Sequence, residues 1–489
     1  MAASEAVPYA KTGGLADVVG VLPQELIRLG HEVTVMLPGY RSVLESLPTR
    51  EITLHFTTPV GSVSREGTLE EVCVPVGDGL SPLKIVVVRC DPYFDRPGLY
   101  QDEHGDYHDN LERFALFSQA VLRWIRYLSE RDGRSVDVLH LHDWQTALCS
   151  VYLKAGVRGL AIPGVKTLLT LHNVGYQGLF PGEQFPVTGL PDALFSPRAL
   201  EFYGLVNCLK GGIVFSDAVS TVSQTYAKEI LTKEFGYGLE GVLADRREGI
   251  PGIVNGIDVN VWNPETDRFV PASYSVCDLS GKKICKRLLQ RELGLPVRSV
   301  PLLAAIGRLT YQKGFDLLLE ALPEMVLLDV QLVLLGTGDR DLEERLLEAQ
   351  SAYPDCVAVR VGFDEGLAHR IQAGADMLIM PSRYEPCGLT QLQSLRYGTV
   401  PIVRRTGGLA DTIVPFKPST VRANLATGFQ FDTPTSEAML SAILLAVSVY
   451  REQETWCSLI KAGMKADVSW VRSAAQYEQL YRTVLSSPT

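Results

Sequence analysis

The sequence lacks a surplus of positive charge: 46 Lys and Arg stand against 56 Asp and Glu, a net charge of −10. A nucleic acid or an anionic membrane as main partner is thereby disfavoured, and any anionic ligand must be met by a few local cations. A long apolar run is missing as well. The richest stretch, residues 317–336, is broken by Glu320, Glu324 and Asp329, so no membrane span is expected. The nine cysteines, at positions 73, 90, 149, 208, 277, 285, 356, 387 and 457, form no CxxC and no His/Cys spacing suited to a metal. They read as reduced thiols in a cytosol-like compartment, and no metal is expected. The first residues lack the basic segment and apolar core of a signal peptide, so none is expected.

What is present is the composition of an ordinary globular protein: 489 residues, 46% apolar and 21% charged, enough for two or three domains. Short apolar runs alternate with helical patterns, as parallel sheets with crossover helices require. Strands are expected at 32–37, 83–88, 136–141, 167–171 and 219–222, then at 302–306, 331–335, 358–361, 377–380 and 400–403. The fold class is α/β, with two doubly wound, Rossmann-like parallel-sheet domains. The junction is expected within 249–258, which carries Pro251, Gly252 and Gly256.

The string Thr12-Gly13-Gly14-Leu15-Ala16-Asp17 recurs unchanged as Thr406-Gly407-Gly408-Leu409-Ala410-Asp411, each copy after a basic residue, Lys11 or Arg405. Either these are two unrelated tight turns, or two helix N-termini whose N–H groups hold one anion. In open α/β sheets ligands sit beyond the carboxyl ends of the strands. The residues expected there are His142-Asp143-Trp144, His172-Asn173, Gly307-Arg308, Gly362-Phe363, 382–388 and 405–408.

Arg308 and Lys313 lie five positions apart, one after a strand and one opening a helix, an arrangement that suits a diphosphate. A solvated loop with two surface cations is the alternative. Pro386 and Gly388 force a turn that brings Glu385 to a sheet edge, where it can accept sugar hydroxyls or offset charge at an anomeric carbon, unless it only caps the helix expected from Leu389. Cys387 reads as a backbone-shaping neighbour rather than a nucleophile. His140 and His142 share one strand face; His140 reads as a satisfied core residue, while His142, Asp143 and His172 are candidates for polar contacts to a sugar or its acceptor. Tyr93, Phe94 and Tyr100 to Asn110 mix aromatic and polar residues in a loop, which fits either a carbohydrate surface or ordinary packing.

Taken together, Lys11 to Leu15, His140 to Trp144, Leu171-His172-Asn173, Val254 to Asp258, Gly307 to Gly314, Glu385 to Leu389 and Thr406 to Leu409 resemble the bacterial-type glycogen synthase family, which also contains plant starch synthases. The resemblance spans nearly the whole chain. It implies a GT-B fold, two Rossmann-like domains facing across a cleft, with the last helix crossing back to the first domain. The implied domains are 1–250 plus 469–489, on the acceptor side, and 251–468, binding the nucleotide sugar. It further implies a retaining glucosyl transfer from ADP-glucose to the non-reducing end of an α-1,4-glucan, glycogen or starch, with no cofactor and no metal. The implied setting is the cytoplasm, or the plastid stroma in a photosynthetic eukaryote.

Carried over, the catalytic set is Glu385, Asp143, His172, Arg308, Lys313 and Lys11. Arg308 and Lys313 would hold the diphosphate, with Lys11, Gly14 and the amides of Leu389 and Thr390 completing its cradle. Glu385, His172 and Asn255 would hold the glucose, Asp143 would sit by the acceptor, and Asp17 would contact the nucleotide. Phe363 stands where similar enzymes often carry a Tyr against adenine. Gly13, Asn173, Cys387, Gly388, Thr406, Gly407 and Gly408 complete the substrate-binding set, and Tyr93, Phe94 and Trp144 are acceptor candidates. Similar proteins carry a short apolar strand before the segment matching Ala3-Ser4-Glu5, so a start a few codons upstream of Met1 is expected. The rivals are a transferase of the same fold using UDP-glucose or another acceptor, and a non-catalytic glucan-binding protein; nothing else in the chain resembles a phosphorylase.

Overall fold

The computed structural model describes residues 1–157 and 159–487. The chain forms two compact units. The first comprises Met1–Val222, Ala227–Asn255 and Trp470–Thr489, the second Ser223–Tyr226 and Gly256–Ser469. The divisions thus fall at 255/256 and 469/470, against 250/251 and 468/469 expected from sequence, and residues 488–489 of the expected first domain lie outside the described residues.

In the first unit, α1 (Gly14–Arg28) precedes β1 (Thr34–Pro38), β2 (Glu51–Val60), β3 (Val63–Val74) and β4 (Leu83–Arg89). Then follow α2 (Asn110–Asp132), β5 (Val138–His142), α3 (Trp144–Lys154), β6 (Lys166–Leu171) and β7 (Ala218–Thr221). The strands run in the order β2-β3-β4-β1 and β5-β6-β7, and Ala2 joins the two groups by parallel bridges to Met36 and Leu141. β6 is buried at all six positions, the pattern of a parallel strand covered on both faces. β2 and β3 depart from the expected parallel sheet: they form an antiparallel hairpin, and the end of β2 alternates exposed and buried residues, so one face meets water.

The second unit holds one six-stranded, wholly parallel sheet. Its strands are β8 (Leu302–Ile306), β9 (Gln331–Gly336), β10 (Val357–Val361), β11 (Met377–Met380), β12 (Val400–Arg404) and β13 (Phe429–Phe431), in the order β10-β9-β8-β11-β12-β13. Renumbered within the unit this is 3-2-1-4-5-6, the doubly wound order, whose ligands bind where the order reverses, here between β8 and β11. The helices that matter for the site are α4 (Phe315–Val326), α5 (Glu365–Gly374), α6 (Thr390–Arg396) and α7 (Gly407–Thr412). α4 buries Phe315, Leu318, Leu322 and Met325 at helical spacing against the sheet core of Leu303, Leu332 and Ile379.

The final helix, α8 (Trp470–Ser486), belongs to the first unit, where Trp470, Ala474 and Tyr477 pack with Val18, Leu22 and Leu26 of α1 and Leu168 of β6. All nine cysteines are free thiols. Among the described residues no helix is long and apolar enough to cross a membrane.

Candidate active site

At the reversal point of the second unit, β8 is followed by Gly307 and Arg308, and Arg308 is exposed. A single turn, Tyr311–Lys313, then leads to Gly314, whose φ of 73° and whose closeness to Pro381 O (a Cβ would stand 2.2 Å away) admit only glycine. This close passage sets Lys313 against the segment that follows β11. Lys313 Nζ lies 2.6 Å from Glu385 Oε2, which also accepts from Ser382 Oγ at 2.9 Å. Glu385 is 5% exposed. α6 has no side-chain cap at its N-terminus, so Glu385 is spent on Lys313 and Ser382, not on capping.

Arg383 braces the same turn. Its guanidinium stacks 3.6 Å over the Tyr311 ring and forks onto both oxygens of Asp316 at 2.8 and 2.7 Å. Arg383 falls in the expected 382–388 segment, but its pairing with Asp316 was not legible, because 67 residues separate them. Gly407, at φ 42°, and Gly408 pass so close to the Glu385–Cys387 backbone that a Cβ on either would stand 2.0 Å from a carbonyl oxygen, and Gly408 N donates to Glu385 O at 3.0 Å. The second copy of the repeated string is therefore a buttress for Glu385. Of the two readings open for this string, two unrelated tight turns or anion-holding helix N-termini, the geometry at Thr406, Gly407 and Gly408 is that of a short helix of six residues whose Gly408 amide is bonded within the protein. Asp411 of this copy accepts from Ser223 Oγ, Thr225 N and Thr225 Oγ1. Cys387 is buried, and the Phe363 ring, between β10 and α5, is 81% exposed. Leu389 is the N-cap of α6 and Thr390 its first residue.

In the first unit the carboxyl ends of β5 and β6 carry the polar groups. Asp143 follows β5 at φ 55°, ψ −169°, a conformation L-residues rarely adopt, and its carboxylate accepts from the amides of His172 (2.7 Å) and Asn173. Burial pushes its pKa up to about 7, against the lowering effect of those two amides. His172 is pushed down to about 3 by burial and is neutral at ordinary pH; its Nε2 meets His142 Nδ1 at 2.9 Å. His140 is bonded on both ring nitrogens, to Tyr481 OH (2.8 Å) and Thr170 Oγ1 (2.7 Å). Burial keeps His140 and His142 neutral as well. Among the described residues no group of three or more His, Cys, Asp or Glu is placed to hold a metal.

The first copy of the repeated string opens α1. Gly13 is its N-cap, without a side-chain cap and with open space where a Cβ would stand. Lys11 is exposed and lies 2.8 Å from Asp17. Asn255 is buried at the end of a first-unit segment. Tyr93 and Phe94 are 2% and 0% exposed, which corrects their reading as a sugar platform: Tyr93 OH donates to Glu112 at 2.6 Å, and Phe94 packs against Tyr40 and beneath Arg113. Trp144 is half-buried, edge-on to Phe114 and Phe180.

Two doubly wound units with cations and carboxylates at the carboxyl ends of their strands define a GT-B glycosyltransferase. The comparisons narrow this. Residues 1–245 match the starch synthase catalytic domain model, and residues 292–458 match glycosyl transferases group 1. A glycogen synthase of Syntrophotalea carbinolica is 44% identical over 99% of this chain and 98% of its own. The catalytic domain of starch synthase IV from Arabidopsis thaliana, solved bound to ADP and acarbose, superposes with a TM-score of 0.88 at 33% identity, covering 99% of both chains. A sucrose-phosphate synthase from Thermosynechococcus elongatus, 18% identical with a TM-score of 0.61 over 100% of this chain and 98% of its own, shares the fold. The chain belongs to the glycogen and starch synthase family, enzymes that build glucan by glycosyl transfer.

Proposed function

We infer that the protein transfers glucose from ADP-glucose to the non-reducing end of an α-1,4-glucan with retention of configuration. The observation that carries this reading is the cluster of Lys313, Glu385 and Ser382 at the reversal point of the second-unit sheet, where Arg308 follows β8 and is exposed. Arg308 offers a planar fork to phosphate oxygens. Lys313 has three N–H donors, so its bond to Glu385 leaves capacity for a phosphate. These cations take up the charge of the departing diphosphate without a metal. Lys11 and the start of α1 add a cation and uncapped amides. The exposed Phe363 ring offers a stacking face to the base, and adenine as the base is supported by the starch synthase IV structure's being bound to ADP.

Glu385, held in place by Lys313 and Ser382, binds sugar hydroxyls and offsets positive charge at the anomeric carbon; no protein nucleophile is invoked. His172, neutral and set by His142, hydrogen-bonds the glucose, together with Asn255. Asp143 stands on the acceptor side. The leaving diphosphate oxygen takes the proton of the incoming 4-hydroxyl on the same face of the sugar, so the C1–O bond to phosphate breaks as the new C1–O bond forms.

The test is nucleoside diphosphate release from ADP-glucose and from UDP-glucose, with glycogen as acceptor and EDTA present. Faster turnover of ADP-glucose is expected. A preference for UDP-glucose would overturn the donor, and dependence on added metal would overturn the role of the two cations.

A further inference from the structure

Glu5 carries no role in the sequence analysis beyond its place in the Ala3-Ser4-Glu5 segment, yet it occupies a central place. It lies three residues beyond Ala2, the bridge between β1 and β5, where the strand order of the first unit reverses. It is 4% exposed. Its Oε2 accepts from Thr12 N at 2.5 Å and Gly13 N at 3.2 Å, and its Oε1 accepts from Thr12 Oγ1 at 2.7 Å and Tyr100 OH at 2.6 Å. Four donors use the acceptor sites of a carboxylate. Among the described residues no cation pairs with it, so oriented N–H and O–H dipoles offset the buried charge. Such a carboxylate fixes the direction of each donor, here the two amides just before α1.

Tyr100 brings in a second segment. Its hydroxyl also lies 2.7 Å from Ser4 Oγ, and its ring packs on Phe114. Its carbonyl accepts from Tyr107 N and Asn110 Nδ2, each at 2.9 Å. Buried Arg113 ties down the same segment, donating to Tyr93 O at 2.7 Å and Leu99 O at 2.9 Å. The phenol is thus delivered to Glu5 by a stiff support, and the turn before α1 is braced from the aromatic segment through one carboxylate.

We propose that Glu5 is a positioning residue for the Lys11–Gly14 turn, and that Tyr100 reaches that turn only through Glu5. The proposal rests on the reading of this turn as part of the diphosphate site. ADP affinity of the full chain, by calorimetry, is compared for wild type, Glu5→Gln, Tyr100→Phe, their double variant and Lys11→Ala, with hydrogen exchange of the peptide holding Thr12 and Gly13 followed in the ligand-free proteins. Glu5→Gln is expected to weaken ADP binding about tenfold or more, the scale of lost hydrogen bonds to a charged acceptor, and to speed exchange at Thr12 and Gly13. Tyr100→Phe keeps the ring packing and is expected to do both to a smaller degree. The double variant should be no worse than Glu5→Gln alone, because the two changes act through one group.

Additive losses in the double variant, or unchanged exchange at Thr12 and Gly13 in Glu5→Gln, would overturn the proposal. If Lys11→Ala binds ADP like wild type, the diphosphate reading of the turn fails, and the exchange data still decide whether Glu5 holds it. Should Glu5→Gln not fold, Thr12→Val, which removes one donor to the same carboxylate, replaces it with the same two expected outcomes.

Discussion

Asp143 offers the sharpest quantitative test of how the first-unit site is built. Its pKa is raised from 3.8 to about 7, chiefly because the carboxyl is fully buried. The folded protein therefore holds this proton more tightly than the unfolded chain between about pH 4 and pH 7. The resulting stabilisation is complete below about pH 4 and lost as pH rises through 7. At about 1.4 kcal/mol per pH unit the whole effect is about 4 kcal/mol, of which about 3 kcal/mol falls between pH 5 and pH 8. His140, His142 and His172, whose values are lowered, act in the opposite sense, their contribution being lost as pH falls below about 6.5, so only a difference between variants isolates the carboxylate. Asp143→Asn cannot ionise and sacrifices one amide contact, a cost of about 1–3 kcal/mol that does not change with pH. Urea unfolding of both proteins at pH 5 and pH 8 is expected to show the variant gaining about 3 kcal/mol on wild type at the higher pH while losing activity at both. Parallel pH profiles for the two proteins would refute a buried, ionising Asp143.

The identical repeats should answer one substitution differently. Gly408→Ala, with Cys387 O at 2.0 Å from the new Cβ, is expected to lower the melting temperature of the second unit by several degrees, whereas Gly13→Ala, with nothing within 4 Å, should leave stability within about 0.5 kcal/mol. Arg308→Ala should lower kcat by roughly 10²–10³ with little effect on the melting temperature, a loss of transition-state anion contact measured by ADP release; a change below about threefold would remove Arg308 from the diphosphate. Lys313→Met leaves the buried Glu385 carboxylate without its cation and should cost about 3 kcal/mol or more in denaturant unfolding, while adding Glu385→Gln restores stability and not activity.

The parallel sheets were legible because buried parallel strands read as bare apolar runs: 302–306 and 377–380 are expected and observed with the same bounds. The β2–β3 hairpin was not legible, since one of its faces is wet and its apolar residues are interleaved with Arg65, Glu66, Glu70 and Glu71. At the site, residue types at strand ends drew attention to Arg308, Lys313, Glu385, Asp143 and His172. What each touches lay outside the reach of spacing: Lys313 and Glu385 meet across 72 residues, and Tyr100 and Glu5 across 95. The repeated string is the clearest case. Six identical residues form an open helix start in one unit and a packed buttress in the other, because the difference lies in what surrounds them. For Tyr93 and Phe94 a sugar platform and ordinary packing were equally open in the sequence, and the structure settles them as core beneath Arg113, whose guanidinium lies over Phe94 and bonds Tyr93 O.

The most direct test of the account follows the sugar itself. ADP-glucose carrying carbon-13 at C1 is incubated with maltoheptaose, and the product is read by NMR. Labelled glucose is expected at the non-reducing end, joined α-1,4. A β-linked label, a label at another position, or labelled free glucose as the sole product would contradict it.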